Sequence, residues 1–285
     1  MKFLNAIQIP KTVERILNTM IEEIAKIRPD FIEGFYLTGS IPLNDFHPDK
    51  SDIDFIILCK YFPEQNLFEQ LKKLHGKIQQ EYKRPKLSGF YLTKECLRMH
   101  NELAIKVPSV FEGNMNFSDW GNGLTLVALK ELKTTALTLF GTPADALTIE
   151  IKDEELNRVL FENINSYWRN WVNKHSSFHY RYLFLFSLPW LTEWSVLGVA
   201  RQLYTLQTGK ITSKLNAGYY ALKVLPDKYH QIIQQAIEIR KSDNKLLSVG
   251  PSIKRAEQTI ECVNFIIEKF NILSTSNSNY LKTSL

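Results

Sequence analysis

Two carboxylates spaced i, i+2, with a Gly-Ser pair twelve residues before the first of them, carry the chemistry this chain can do. The segment reads Gly34-Phe35-Tyr36-Leu37-Thr38-Gly39-Ser40, then a connector holding Pro42, Asn44, Pro48 and Asp49, then Ser51-Asp52-Ile53-Asp54-Phe55-Ile56-Ile57-Leu58. Apolar, β-rich runs on either side of turn formers predict strand, loop, strand. Alternate residues of a strand face the same way. Asp52 and Asp54 therefore share a face, while Ile53 turns into apolar packing. Two hard oxygen donors side by side suit Mg²⁺ carrying a polyphosphate. Gly39, with no side chain, lets backbone N–H groups approach a phosphate, and the Ser40 hydroxyl adds a donor. A bare Asp-x-Asp near a strand end is usually just solvated; the Gly-Ser pair, the spacing and the flanking runs make this one a candidate site.

The elements that must hold these residues follow from periodicity. Apolar positions at Val13, Ile16, Leu17, Met20, Ile21, Ile24 and Ile27 predict a helix over Thr12 to Arg28. The two motif strands follow, then a helix from Glu64 to about Tyr82 and a third extended run, Leu87 to Thr93. Strands alternating with helices predict an α/β domain, a small mixed sheet with flanking helices. Residues 94–123 show weak patterning and read as loop with short helical pieces, and Leu124 to Thr138 reads as helix. After Glu150 strand signals almost vanish. Helices are predicted over Asp153–Val172, Trp190–Gln207, Ser213–Leu225, Asp227–Lys241 and Ser252–Phe270, with Asp227 and Ser252 as N-caps. The expected organisation is thus an N-terminal α/β domain over residues 1–145, an all-α helical-bundle domain over 146–273, and a polar, mobile tail over 274–285.

The Gly-Ser and Asp-x-Asp constellation resembles the DNA polymerase β-like nucleotidyltransferase superfamily. Within it, the chain is most similar to bacterial aminoglycoside adenylyltransferases of the streptomycin/spectinomycin type. A second stretch carries that resemblance: Ala200-Arg201-Gln202-Leu203-Tyr204, then Thr208-Gly209-Lys210-Ile211-Thr212-Ser213-Lys214, then Ala217 to Pro226. It is good over residues 30–60, moderate over 190–240 and faint elsewhere. The resemblance implies a Mg²⁺-dependent enzyme that moves AMP from ATP to a hydroxyl of a small polar acceptor, plausibly an aminoglycoside, as in antibiotic resistance. Asp52 and Asp54 would be the catalytic metal ligands, and Gly39, Ser40 and Ser51 would hold nucleotide phosphates. Arg201 and Lys214 match the family's arginine and lysine that reach ATP phosphates across an interdomain cleft. The residues agree independently: Thr208-Gly209 suits a helix C-terminus, and Ser213 as cap would put Lys214 at a helix N-terminus, where anions are favoured.

One departure bears on activity. The family places a base carboxylate early in the third strand, where this chain has Lys86-Leu87-Ser88-Gly89-Phe90-Tyr91, so Ser88 stands in its position. Serine cannot take a proton at neutral pH as a carboxylate can. Either the register differs and Glu95 or Glu81 supplies the group, or Glu102 or Glu112 swings in, or the protein is a catalytically weakened nucleotide binder of the same fold. For the acceptor, a polycation would need carboxylates and an aromatic platform, for which Glu112, Trp120, Trp190 and Glu193 are the candidates. Trp168, Trp171, Trp190 and Trp194, at helical spacing, read first as core.

Bulk properties set the remaining limits. A chain of 285 residues, 44% hydrophobic and 23% charged, is globular and long enough for two domains. Its net charge of +5 is spread along the chain, and the clusters Lys72-Lys73 and Lys83-Arg84-Pro85-Lys86 read as solvated surface, which argues against a nucleic-acid substrate. Three scattered cysteines, Cys59, Cys96 and Cys262, specify neither disulfides nor a zinc site. The most apolar run, Tyr182 to Leu191, is about half a membrane span and reads as a buried segment. The expectation is a cytoplasmic protein without membrane association. Its oligomeric state is left open, and a monomer is compatible with everything above.

Overall fold

A computed structural model of the chain describes residues 9–98, 105–120, 125–176, 180–242 and 250–282. It divides into two compact units, Met1–Ile151 and Lys152–Leu285.

The first unit runs α1 (Lys11–Ile27), β1 (Ile32–Thr38), β2 (Ile53–Cys59), α2 (Gln65–Glu81), β3 (Leu87–Leu92), α3 (Lys94–Arg98), β4 (Ile105–Phe111), β5 (Asn114–Trp120), α4 (Thr125–Thr134) and β6 (Leu137–Phe140). Six strands form one sheet in the order β5-β4-β3-β2-β1-β6. Only β2 and β3 pair in parallel, as they must when the long α2 crossover joins them. Strand alternation separates two cores. Phe35, Leu37, Ile53, Phe55 and Ile57 pack with Val13, Ile16 and Met20 of α1 and Phe68 and Leu71 of α2. Tyr36, Ile56, Leu58 and Leu92 pack on the other face with Leu129 and Leu132 of α4. Because Ala144, Leu147 and Ile149 belong to this second core, the first unit extends to Ile151, six residues beyond the division expected at 145.

Two strands escape the sequence pattern. Residues read as loop form the β4–β5 hairpin, closed by Glu112 (φ 49°) and Gly113 (φ 78°). Both turn residues are left-handed, as a two-residue hairpin turn that follows the strand twist requires. Similarly, the helix expected through Thr138 stops at Thr134, and Leu137–Phe140 adds to β1 as an edge strand.

The second unit is helical: α5 (Asp153–Asn163), a π-helical turn (Ile164–Trp168), α6 (Arg169–His175), α7 (Tyr182–Ser187), α8 (Pro189–Thr208), α9 (Lys214–Val224), α10 (His230–Lys241) and α11 (Ile253–Lys282). Helix α8 is its axis. It packs against α9, α10 and α11 and buries Leu191, Val196, Leu197, Val199, Ala200, Leu203 and Leu206. It begins with Pro189 in its first turn and ends at Gly209 in the left-handed conformation, the usual punctuation of a helix. Trp168 and Trp171 pack edge-on and tilted against one another and against Trp194 of α8; Trp168 and Trp171 are core as expected, while Trp194 is only partly buried.

Two expectations are corrected here. The run Tyr182–Leu191 is not buried: Leu183 is 63%, Phe184 50% and Trp190 50% exposed, while Leu185 is sealed. Helix α7 is six residues long and breaks before Pro189, so its apolar residues cannot all turn to one core. The tail from Ser274 is helical as far as Lys282, because no glycine or proline interrupts α11 after Ile253. Among the described residues, no helix is long and apolar enough to cross a membrane.

Candidate active site

The N-terminal ends of the parallel strands β2 and β3 and the C-terminal end of β1 meet at one edge of the sheet, and the motif residues lie there. Asp54 sits in β2 opposite Thr38 of β1 on one side and Ser88 of β3 on the other. Asp52 lies just before β2, and between the two carboxylates Ile53 is fully buried, as alternation demands. Gly39 follows β1 with φ 68°, and a Cβ there would land on the Asp54 carboxylate. The position thus needs glycine twice over, for its backbone and for space. The Ser40 hydroxyl is buried and has no hydrogen-bond partner. Buried polar atoms are rarely left unmatched, and this orphan hydroxyl lies beside a bare glycine. Ser51 is used differently: its Oγ accepts the His47 N–H at 3.1 Å and holds the connecting loop. His47 Nε2 in turn lies 3.3 Å from the buried Asp45.

The register answers one question about the missing base. Ser88 pairs with Asp54 and its Oγ reaches Asp52 Oδ2 at 3.5 Å, a long hydrogen bond, so serine does stand beside the two carboxylates. Glu95, in α3, follows the far end of β3 and lies at the wrong edge of the sheet. Glu81 is exposed at the end of α2. Glu102 lies outside the described residues. Glu112 is at the correct edge: the Gly113 N–H donates to Leu87 O at 2.9 Å, which brings the hairpin turn alongside the start of β3. Trp120 ends β5, and its side chain lies outside the described residues. Arg84, in a run read as plain surface, has Nη1 3.9 Å from Asp52 Oδ1; the parallel pairing of β3 with β2 carries the loop before β3 to this edge.

Two carboxylates, an exposed approach and adjacent donors fit Mg²⁺, which favours one or two protein carboxylates and fills its remaining positions with water and phosphate oxygens. Among the described residues no group of three or more His, Cys, Asp or Glu side chains is placed to hold a metal ion.

The second unit gathers cations. Ser213 caps α9, accepting the Asn216 N–H at 3.1 Å, and Lys214 is the first residue of that helix. Lys214 Nζ donates to Glu193 Oε1 at 3.2 Å, and Arg240 Nη1 lies 3.6 Å from the same oxygen. Arg201, on α8 as expected, donates from Nε to Thr212 O at 3.1 Å. Burial pulls the Lys214 ammonium below its ordinary value; Glu193 opposes the shift and the nearby Arg240 and Arg201 add to it. Glu193 is 5% exposed and faces two cations. Trp190, by contrast, is half exposed in the first turn of α8.

Comparison with known proteins divides the chain into the same two parts. The nucleotidyltransferase domain family matches residues 17–109, and the C-terminal domain family of aminoglycoside adenylyltransferases matches residues 183–266. The chain belongs to the aminoglycoside adenylyltransferase-like nucleotidyltransferases. It is accordingly an enzyme of nucleotidyl transfer. Spectinomycin adenyltransferase AAD(9) from Enterococcus faecialis, solved with ATP and spectinomycin, shares the fold with a TM-score of 0.64 at 14% identity, over 90% of this chain and 99% of that one. No curated protein matches the chain. Within the family's two-part plan, Arg84 and Arg240 are the charged residues near the candidate groups that sequence reasoning passed over. Arg84 had a signal in its place just before the third strand. Arg240 reads as an ordinary basic residue in the last turn of a helix.

Proposed function

We propose that this enzyme moves AMP from ATP, with Mg²⁺, to a hydroxyl of a small polar acceptor, plausibly an aminoglycoside. The observation that supports this best is the orphan Ser40 hydroxyl beside Gly39 and the paired carboxylates, a donor set for phosphate next to a donor set for metal. Gly39 and Ser40 would hold the outer phosphates, and Arg201 and Lys214 would offset phosphate charge. Asp52 and Asp54 would hold the metal, which when bound supplies electrophilic activation at the α-phosphorus. The acceptor oxygen forms its bond to that phosphorus as the bond to the β-phosphate oxygen breaks, and pyrophosphate leaves. The hydroxyl proton finds no carboxylate at position 88. General base catalysis is typically worth about 10²- to 10⁴-fold.

That gap supports a second reading, a nucleotide binder with weakened turnover, and its specific observation is Ser88 in register with Asp54. Calorimetric titration of MgATP into wild type and Asp54→Asn, followed by AMP transfer to a panel of aminoglycosides, separates the two. Metal-dependent binding lost in the variant, with transfer to a drug, supports the enzyme as proposed. Binding without transfer to any member of the panel supports the weakened binder. No binding of MgATP to wild type refutes both.

A further inference from the structure

The trio Lys214–Glu193–Arg240 contains more than ion pairing requires. A buried lysine–glutamate pair by itself would orient the lysine but also cancel its charge, leaving little to offer a phosphate. Here a second cation shares the acceptor atom: Arg240 Nη1 at 3.6 Å and Lys214 Nζ at 3.2 Å both face Glu193 Oε1. Arg240 and Glu193 are 4% and 5% exposed, whereas the Lys214 side chain is 24% exposed, so the lysine is the member of the trio that solvent or a ligand can reach. Burying three charges together carries a large desolvation penalty, which one carboxylate does not fully offset. We propose that Arg240 is a positioning residue: by neutralising Glu193, it lets that carboxylate orient Lys214 while the lysine's own charge stays available to the ATP phosphates. The inference rests on the reading of ATP as the nucleotide. Glu193 then acts in nucleotide binding, through Lys214, and not in holding the acceptor.

The sign of a double substitution tests this. MgATP and AMP are titrated calorimetrically into the full chain, and the ratio of the two affinities is read, because only ATP carries the outer phosphates. In Arg240→Met the lysine is masked by Glu193, and the ratio falls about tenfold, the loss of one charge-assisted contact. In Arg240→Met/Glu193→Gln the mask is gone, and the ratio returns to within about threefold of wild type by the same conversion. Arg240→Lys keeps the charge and the ratio. Arg240→Gln, which retains a hydrogen-bonding group without the charge, gives the same readout if the methionine variant does not fold. A structural role for Arg240 would move melting temperatures and leave the ratio alone. An unchanged ratio in Arg240→Met and Arg240→Gln, or a double variant as weak as Arg240→Met, overturns the proposal. A wild type that does not prefer MgATP over AMP overturns the nucleotide reading beneath it, a distinct result.

Discussion

The sheet edge of the first unit gathers carboxylates, and the α8–α9–α10 cluster of the second gathers cations around a single carboxylate. In the first, Asp52 and Asp54 stand together, with Arg84 Nη1 3.9 Å from Asp52 Oδ1. In the second, Lys214 and Arg240 converge on Glu193, with Arg201 near enough to act on Lys214. The two units thus carry opposite charge patterns at their candidate groups. The difference also separates tasks. The sheet edge is built from strand register, which fixes carboxylates to a neighbour's position. The cluster is built from helix packing and a cap, which set a charged side chain's reach.

Breaking the carboxylate side has the largest effect. Chelating the divalent metal is expected to abolish AMP transfer while leaving the fold intact by circular dichroism; residual transfer in excess chelator would contradict the metal assignment. The next largest change is a gain. Ser88→Glu, which installs a carboxylate beside Asp52 and Asp54, is expected to raise kcat by about 10²-fold or more with little change in ATP affinity. No gain would mean that another group, such as Glu112, already takes the proton.

On the cationic side, Lys214→Met is expected to weaken MgATP binding about tenfold. It should also flatten the pH dependence of that binding. The ammonium is held below its ordinary 10.5, so wild-type affinity is full while the lysine is protonated and declines as pH rises through a value below 10.5. Equal slopes in wild type and variant would remove Lys214 from the phosphate site. The smallest effect comes from Ser213→Ala, which deletes the cap accepting the Asn216 N–H. Stability should drop by about 1 kcal/mol, read by chemical denaturation, while MgATP affinity changes less than in Lys214→Met. A larger loss of affinity than in the lysine variant would show that the cap, and not the lysine, sets the site.

What could be read from the chain divides along the same line. Gly39, Ser40, Asp52 and Asp54 were legible because glycine at a strand end and alternation along a strand are local rules, and the placement of Ser88 followed from one parallel pairing. The β4–β5 hairpin was not, because Pro108 lies mid-strand, where proline normally argues against pairing. The Glu112-Gly113 turn was its one clear signal. The burial of Arg240 against Glu193 was invisible, since it depends on which residue of α8 faces α10, and no periodicity in α10 alone reports that. The exposure of Leu183 and Phe184 was misread for a similar reason: an apolar run says what could be buried, not what neighbouring elements are there to cover it.

The empty space at Gly39 ties two positions of the chain into one mutational unit. A Cβ at 39 would collide with the Asp54 carboxylate, so alanine or serine at that site would push the carboxylate out of its place. A lineage that first lost the carboxylate would be released from the collision and held only by the left-handed backbone.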